Sequence, residues 1–163
     1  MSKFLSLKDI VLEVTIAAIY VVLVLAFYFM SFEVIQFRIA EILLVLVFFN
    51  KKHTIGLVFG TFLANWIGAF GIIDAFYGSF ATLITCILLI MFKKHWYIAL
   101  IIVPGLINGL VISFEISYLY QIFDQYWLNF LWIFIGEFAV VTLIGIPFKL
   151  SLEKTQALHF YIK

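Results

Sequence analysis

Gln36-Phe37-Arg38-Ile39-Ala40-Glu41 runs straight into the apolar stretch Ile42 to Phe49. An arginine and a glutamate, three residues apart at the head of such a stretch, decide how the rest of the chain is read. On a helix, residues i and i+3 share a face, so Arg38 and Glu41 look into the same space. The sequence around them is apolar in both directions: 66% of 163 residues are apolar, 12% are charged and 20 are Phe. That is far from a soluble domain's usage, and apolar runs long enough for a hydrocarbon core of about 30 Å read as transmembrane helices. Charges inside such a core are expensive unless they are paired or used.

Outward from that stretch, the chain reads as an all-α integral membrane protein, a single membrane domain over 1–163. Six transmembrane helices are expected at about 10–31, 37–50, 54–69, 74–93, 95–118 and 126–149. The second is too short to cross at about 1.5 Å per residue, so it is expected to be sunk into the bundle beneath the loop before it. The lysines orient the bundle. Lys3 and Lys8 precede the first span, Lys51 and Lys52 follow the second, Lys93 and Lys94 the fourth, and Lys149, Lys154 and Lys163 the sixth. With both termini cytoplasmic, every lysine falls inside and only Arg38 is left for the outer half. An odd number of helices breaks that pattern. The expected location is the plasma membrane, multi-pass.

The first apolar run is not a cleaved signal: it is longer than a signal's apolar region, Glu13 interrupts its start, and no small-residue cleavage site follows. Cys86 is the single cysteine, which excludes a disulfide within the chain and leaves a packing role. Trp96 and Tyr97 near the inner face, and Trp66, Tyr126 and Trp127 near the outer, fit interfacial aromatic belts. Two stripes of small residues recur at every fourth position: Gly56, Gly60, Ala64 and Gly68, then Gly105, Gly109, Ser113 and Ser117. Such stripes let backbones approach closely, either between helices of one bundle or against a partner membrane protein; packing within the bundle is the expectation. Pro104 is expected to kink the fifth span.

Polar residues on the outer side form the candidate site. Glu33 and Asp124 fall in outer loops and read as solvated. Glu41 heads the second span, Asp74 the fourth, and Glu115 sits near the outer end of the fifth. Glu137 lies near mid-depth in the sixth. Asn65 and Asn108 add amides, and Asn108 shares a helix face with Glu115, seven residues on. Asp74 reads as a helix N-cap. Glu41, Glu115 and Glu137 face one cation, Arg38, which compensates one carboxylate or bridges two. Buried charges must be paired or neutralised, so the remainder take protons or wait for a ligand rich in N–H donors or positive charge. Arg38, Glu41, Asn65, Asn108, Glu115 and Glu137 are therefore the expected lining of an outward-opening acidic cavity. The competing reading is that these groups merely hold helices together, with Arg38 and Glu41 as a local pair.

Other chemistries lack their residues. No GxxxxGK[ST] is present for nucleotide hydrolysis, and no Ser or Cys stands with His and an acid as a nucleophile. His53, His95 and His159 read as lying at the cytoplasmic face, away from the carboxylates, with no metal-site spacing. No enzyme activity, metal, cofactor or nucleic-acid partner is expected.

Several runs, in order along nearly the whole chain, resemble the QueT family. They are Ala17-Ala18-Ile19-Tyr20-Val21-Val22-Leu23, Gln36 to Glu41, Gly56-Leu57-Val58-Phe59-Gly60, Ala64-Asn65, Asp74 with Gly78 to Leu83, Asn108-Gly109-Leu110, and Trp127 to Gly136-Glu137. The resemblance implies a substrate-binding S component of an energy-coupling factor (ECF) transporter. It implies capture of a queuosine precursor, 7-aminomethyl-7-deazaguanine or a related deazapurine, at the extracellular face. It also implies a transmembrane coupling subunit and two cytoplasmic ATPases as partners. The smaller residues Ala18, Val22 and Ala26 recur at roughly helical spacing, and that face is expected to dock on the coupling subunit. The residues themselves agree on two counts: a pocket without an energy source needs an external motor, and a guanine-like donor edge with an ammonium suits carboxylates and amides beside aromatic faces. Two rival readings stand beside this one. The first is a proton-coupled secondary transporter with Glu115 and Glu137 as relay, against which no internal repeat is visible. The second is a membrane scaffold.

Overall fold

A computed structural model describes residues 6–32, 35–68 and 71–155. Among these residues the fold is entirely helical. Helix α1 (Leu7–Ala26) opens with a reciprocal cap, in which Ser6 Oγ accepts from the Asp9 amide and Asp9 Oδ2 accepts from the Ser6 amide. The expected single first span is broken at Phe27 (φ −112°, ψ 38°), beyond which one further turn, α2 (Tyr28–Ser31), completes it.

The second span departs from expectation in kind. Ile39–Phe48 is a 3-10 helix of ten residues, and seven of them are buried, Ala40, Glu41, Leu43, Leu44, Val45, Val47 and Phe48. At about 2.0 Å per residue it extends about 20 Å, short of a bilayer core, as the shortness of its apolar run foretold. It lies inside the bundle, packed by the helices around it, and its Leu44 and Val45 are wholly enclosed. Runs of 3-10 helix this long are uncommon, and this one is held by burial on nearly every side.

Helices α3 (His53–Ile67), α4 (Ile72–Met91) and α5 (Trp96–Tyr120) follow. Gly71, at φ 64°, starts α4, and Gln121, at φ 55°, ends α5 in the left-handed conformation. The sixth span is a single helical run in three parts: α6 (Tyr126–Val140), a π-helical turn (Val141–Gly145), and α7 (Ile146–Lys154). Pro147 offers no N–H to the carbonyl four residues back, and the wider turn just before it absorbs that loss. Among the described residues, four helical runs are long and apolar enough to cross a membrane: Leu7–Ala26, Ile72–Met91, Lys93–Tyr120 and Phe123–Lys154. Ile39–Phe48 and His53–Ile67 are apolar but shorter.

The small-residue stripes pack within the bundle. A Cβ on Gly60 would stand 2.9 Å from the Tyr20 Cβ, and one on Gly56 would stand 2.6 Å from the Glu13 carbonyl, so α3 lies close along α1. Gly105 and Gly109 do the same for α5 against Phe134 and Phe130 of α6. Cys86 is free and buried, as expected. Pro104 lies inside α5 without ending it.

Contacts also gather the lysine-bearing ends. Lys52 pairs with Asp9 at 2.8 Å, joining the starts of α3 and α1. Lys149 of α7 stands 3.8 Å from the centroid of the Trp96 ring at the start of α5, and faces Phe48 and Phe49 at the end of the 3-10 helix. The loop Gln36–Arg38, the start of α4, the end of α5 and the start of α6 are left for the opposite end.

Candidate functional site

At that opposite end the chain turns from an extended segment into the 3-10 helix, with Arg38 (φ −80°, ψ 89°) at the junction. The turn closes when the Glu41 amide donates to the Arg38 carbonyl at 3.0 Å. Three residues per turn put the two side chains on one side, yet they do not pair. Among the described residues no carboxylate oxygen comes within 4.0 Å of the Arg38 guanidinium. Glu41 instead accepts from the Tyr20 hydroxyl of α1 at 2.6 Å, with both side chains enclosed. The local Arg38–Glu41 pair of the competing reading does not form: a neutral donor from another helix takes the carboxylate, because Tyr20 is aimed at it by the close α1–α3 approach.

Arg38, 1% exposed, sits in the combined field of Glu41, Asp74 and Glu137, with the Phe32 ring 5.9 Å away. Glu137 of α6 accepts from Asn108 Nδ2 of α5 at 3.0 Å through one oxygen, and its other oxygen has no partner. Asn108 Oδ1 has none either. Glu115 of α5 is wholly enclosed, and neither of its oxygens has a partner. Asp74 and Arg38 are the charged groups whose fields act on it. The structure therefore brings Arg38, Glu41, Asn108, Glu115 and Glu137 into one region, from three elements distant in sequence.

Asn65 is partly a different matter. Its Nδ2 donates to the Asp74 carbonyl at 3.3 Å, and a side chain at Gly78 would overlap it, so it clamps α3 to α4 while Oδ1 stays unpartnered. Asp74 is not the helix N-cap it resembles. Gly71 caps α4 without a side-chain bond, and Asp74 lies three residues in, 3% exposed. Sequence reasoning also missed Tyr20. A phenol in the middle of an apolar run needs a buried partner, and that need was the available signal. His53 lies apart from the site's carboxylates, its Nδ1 2.9 Å from Glu13 Oε1, while Glu13 Oε2 accepts from the Gly56 amide. That pair sits at the lysine end. Glu33, His159, Lys3 and Lys163 lie outside the described residues.

A cavity of about 400 Å³ at this end is lined by Phe32, Gln36, Ile116, Tyr120, Trp132 and Ile133 among others, and none of the six expected site residues lines it. That volume is within the range of small-molecule sites. Ile116 adjoins Glu115, and Ile133 lies one helical turn before Glu137. Gly136 lets α6 touch the loop that roofs this region, since any Cβ there would collide with the Gln36 carbonyl. A larger hollow of about 490 Å³, between α3 and α4, is lined by Ile55, Val58, Phe59 and Phe62 and holds no charged group. On the far side of α1, Ala18, Val22 and Ala26 are all exposed.

What the arrangement can do chemically follows from its unpartnered atoms. Glu41 Oε2, both Glu115 oxygens, Glu137 Oε2 and the side-chain oxygens of Asn65 and Asn108 are buried acceptors; Arg38 Nε is a buried donor. Such groups cost free energy until something satisfies them.

The protein-family model described as QueT transporter matches residues 10–154 of this chain. Among curated proteins, the queuosine precursor transporter QueT of Lactococcus lactis subsp. cremoris (strain MG1363) is 36% identical over 78 residues, which are 47% of this chain. The matched part spans 46% of that relative's length, about half. No solved structure matches.

Proposed function

This chain belongs to the QueT transporter family, and on that premise we propose that it is the substrate-capture subunit of an ECF-type importer. Its substrate is a queuosine precursor, 7-aminomethyl-7-deazaguanine or a related deazapurine, taken from outside the cell. The observation that carries this reading is the set of buried acceptors around Arg38, five of them on Glu41, Asn108, Glu115 and Glu137. A deazaguanine presents the complementary set: N–H donors for the carboxylates and Asn108, a carbonyl for Arg38, and a flat face for the aromatic rim. Each hydrogen bond to a buried carboxylate contributes about 1.5–3 kcal/mol, so two or three account for tight capture.

Orientation follows from the lysines. Six apolar helical segments with both termini cytoplasmic put every lysine inside and open the cavity outward. The sequence holds no nucleotide-hydrolysis motif, so uptake draws on a transmembrane coupling subunit and two cytoplasmic ATPases. The exposed α1 face at Ala18, Val22 and Ala26 is the docking surface for that coupling subunit.

The test is a mass spectrum of small molecules that co-purify with the detergent-solubilised protein, followed by reconstitution of the chain alone. A deazapurine should co-purify, and the lone protein should bind it without accumulating it in vesicles. Uptake by the lone chain under a pH gradient would overturn the reading in favour of a proton-coupled secondary transporter using its glutamates. Absence of any ligand binding would leave the acids as a structural device.

A further inference from the structure

The hollow of about 490 Å³ between α3 and α4 has no part in the site around Arg38. It runs along α3 from Thr54 to Phe62, about 12 Å, with Ser79 and Leu83 of α4 as its other wall. No charged group lines it, and Ser79 Oγ is spent on the Phe76 carbonyl at 3.2 Å. Its rim stands open to the surroundings of the bundle: Phe59 is 56% exposed, Ile55 43% and Leu83 38%. Those side chains project as ridges, whereas the small residues of α3, Gly56 and Gly60, are turned to α1 and already used there. A second helix, about 10–12 Å across with its side chains, packs best on small residues. A groove between projecting side chains takes a thin, flexible chain instead.

One end of this groove carries charge. Helices α3 and α4 run antiparallel, with the Thr82 hydroxyl donating to Thr61 Oγ1 at 3.2 Å. Carried toward the lysine end, that register sets Lys51 level with Phe92, next to Lys93 and Lys94. The turn that starts α3 ties Lys51 to the groove directly, since its carbonyl accepts from the Thr54 amide at 3.3 Å. Lys51, Lys93 and Lys94 are exposed and, among the described residues, make no ion pair. The acids described at this end are already engaged, Asp9 by Lys52, Glu13 by His53 and Glu153 by Lys149. An apolar slot that ends beneath unpaired lysines matches a molecule with an acyl chain and an anionic head. We propose that the α3–α4 groove binds one anionic phospholipid, its phosphate at Lys51, Lys93 and Lys94 and an acyl chain laid along Ile55, Val58, Phe59 and Leu83. The lipid fills the side of α3, which at 15 residues is about 22 Å long and falls short of a bilayer core. This inference needs only that the chain lies in a membrane; neither the substrate nor the protein partners proposed above enter it.

The experiment titrates the full-length, delipidated chain in detergent with palmitoyl-oleoyl phosphatidylglycerol, and with phosphatidylcholine of the same acyl chains, and reads bound lipid by native mass spectrometry. One phosphatidylglycerol should bind roughly tenfold or more tighter than phosphatidylcholine, as two or more lysines near a phosphate give. The double variant Lys51→Gln, Lys94→Gln changes only exposed side chains and should remove most of that preference. Val58→Trp fills the slot and should weaken both lipids by roughly tenfold, the loss of one buried stretch of chain. Ile55→Trp, at the exposed rim, carries the same test should Val58→Trp fail to fold. Equal binding of the two lipids by the parent, or a preference that survives the lysine changes, would overturn the proposal. So would unchanged binding by a folded groove variant, since the lipid then sits elsewhere. The occupant is checked in native membranes with a photoreactive residue in place of Phe59, which should capture phospholipid on irradiation. Capture of a second copy of the chain, or of another protein, would assign the groove to that partner and refute the lipid.

Discussion

Replacing Tyr20 by Phe removes one oxygen from the middle of α1 and tests how Glu41 is held. The parent bond is short, 2.6 Å, and joins a phenol with no exposed surface to a carboxylate 1% exposed. The other carboxylate oxygen, Glu41 Oε2, is already unpartnered, so Tyr20→Phe leaves both oxygens of a buried carboxylate without a donor. A hydrogen bond to a charged group contributes about 1.5–3 kcal/mol, and an orphaned buried partner puts the loss at the upper end. Packing changes little: the ring remains, and so does the Tyr20 Cβ against Gly60. For a chain of this length, about 2–3 kcal/mol lowers the melting temperature by roughly 4–10 °C. Glu41→Gln should be milder, because the amide oxygen still accepts from the phenol while the buried charge disappears. The assay is thermal unfolding of the two single variants and the double variant in one detergent. A coupling energy of about 1 kcal/mol across the cycle is expected, the difference between a bond to a carboxylate and one to an amide oxygen. If Tyr20→Phe melts with the parent and the coupling is below about 0.5 kcal/mol, the bond does not hold Glu41, and Arg38 must.

Three further outcomes follow from the same geometry. With Cys86 buried and silent, a cysteine at Asp124 should react with an impermeant thiol reagent on intact cells, and one at Lys51 or Lys94 should not; the reverse labelling would invert the topology. Ala18→Trp, on the exposed face of α1, should abolish uptake by the full complex while the isolated chain still binds ligand; unchanged uptake would move the docking surface elsewhere. Gly136→Ala should push α6 off the Gln36 carbonyl, costing about 1–3 kcal/mol in stability and loosening the loop that carries Arg38; unchanged melting and binding would show that the contact yields freely.

The helical outline was legible because hydropathy alone marks lipid-facing runs, and the lysines mark their ends. The kind of helix was not. Ile39–Phe48 is buried on nearly all sides, so its sequence is apolar throughout and carries no periodicity from which to tell 3.6 residues per turn from three. The π turn before Pro147 had a signal, the proline itself, but a proline in a membrane helix predicts disturbance without saying which carbonyl gives way. The acids of the site were legible one by one as costly residues in lipid. Their partners were not, since Tyr20–Glu41 and Asn108–Glu137 are 21 and 29 residues apart, and pairing depends on how helices are turned against each other. Asp74 misled for a local reason. It stands where N-caps stand, but the left-handed Gly71 starts the helix earlier and carries the acid inside.

The absent Arg38–Glu41 pair bears on the whole design. Had the arginine closed on its neighbour, the site would have neutralised itself within one turn, and a bidentate pair buried in the bundle would have left little for a ligand to satisfy. Instead Glu41 is steadied by a neutral phenol and Glu137 by a neutral amide, and each keeps one free oxygen. Arg38 keeps Nε free as well, and its charge is shared across Glu41, Asp74 and Glu137 without being committed to one of them. A shared cation of this kind lowers the cost of burying several acids while leaving each available. The steadying donors come from α1 and α5, whose close approaches to α3 and α6 are fixed by Gly60 and by Gly105 and Gly109. Small residues with no polar atom of their own thereby set the geometry in which the polar ones keep unpartnered atoms.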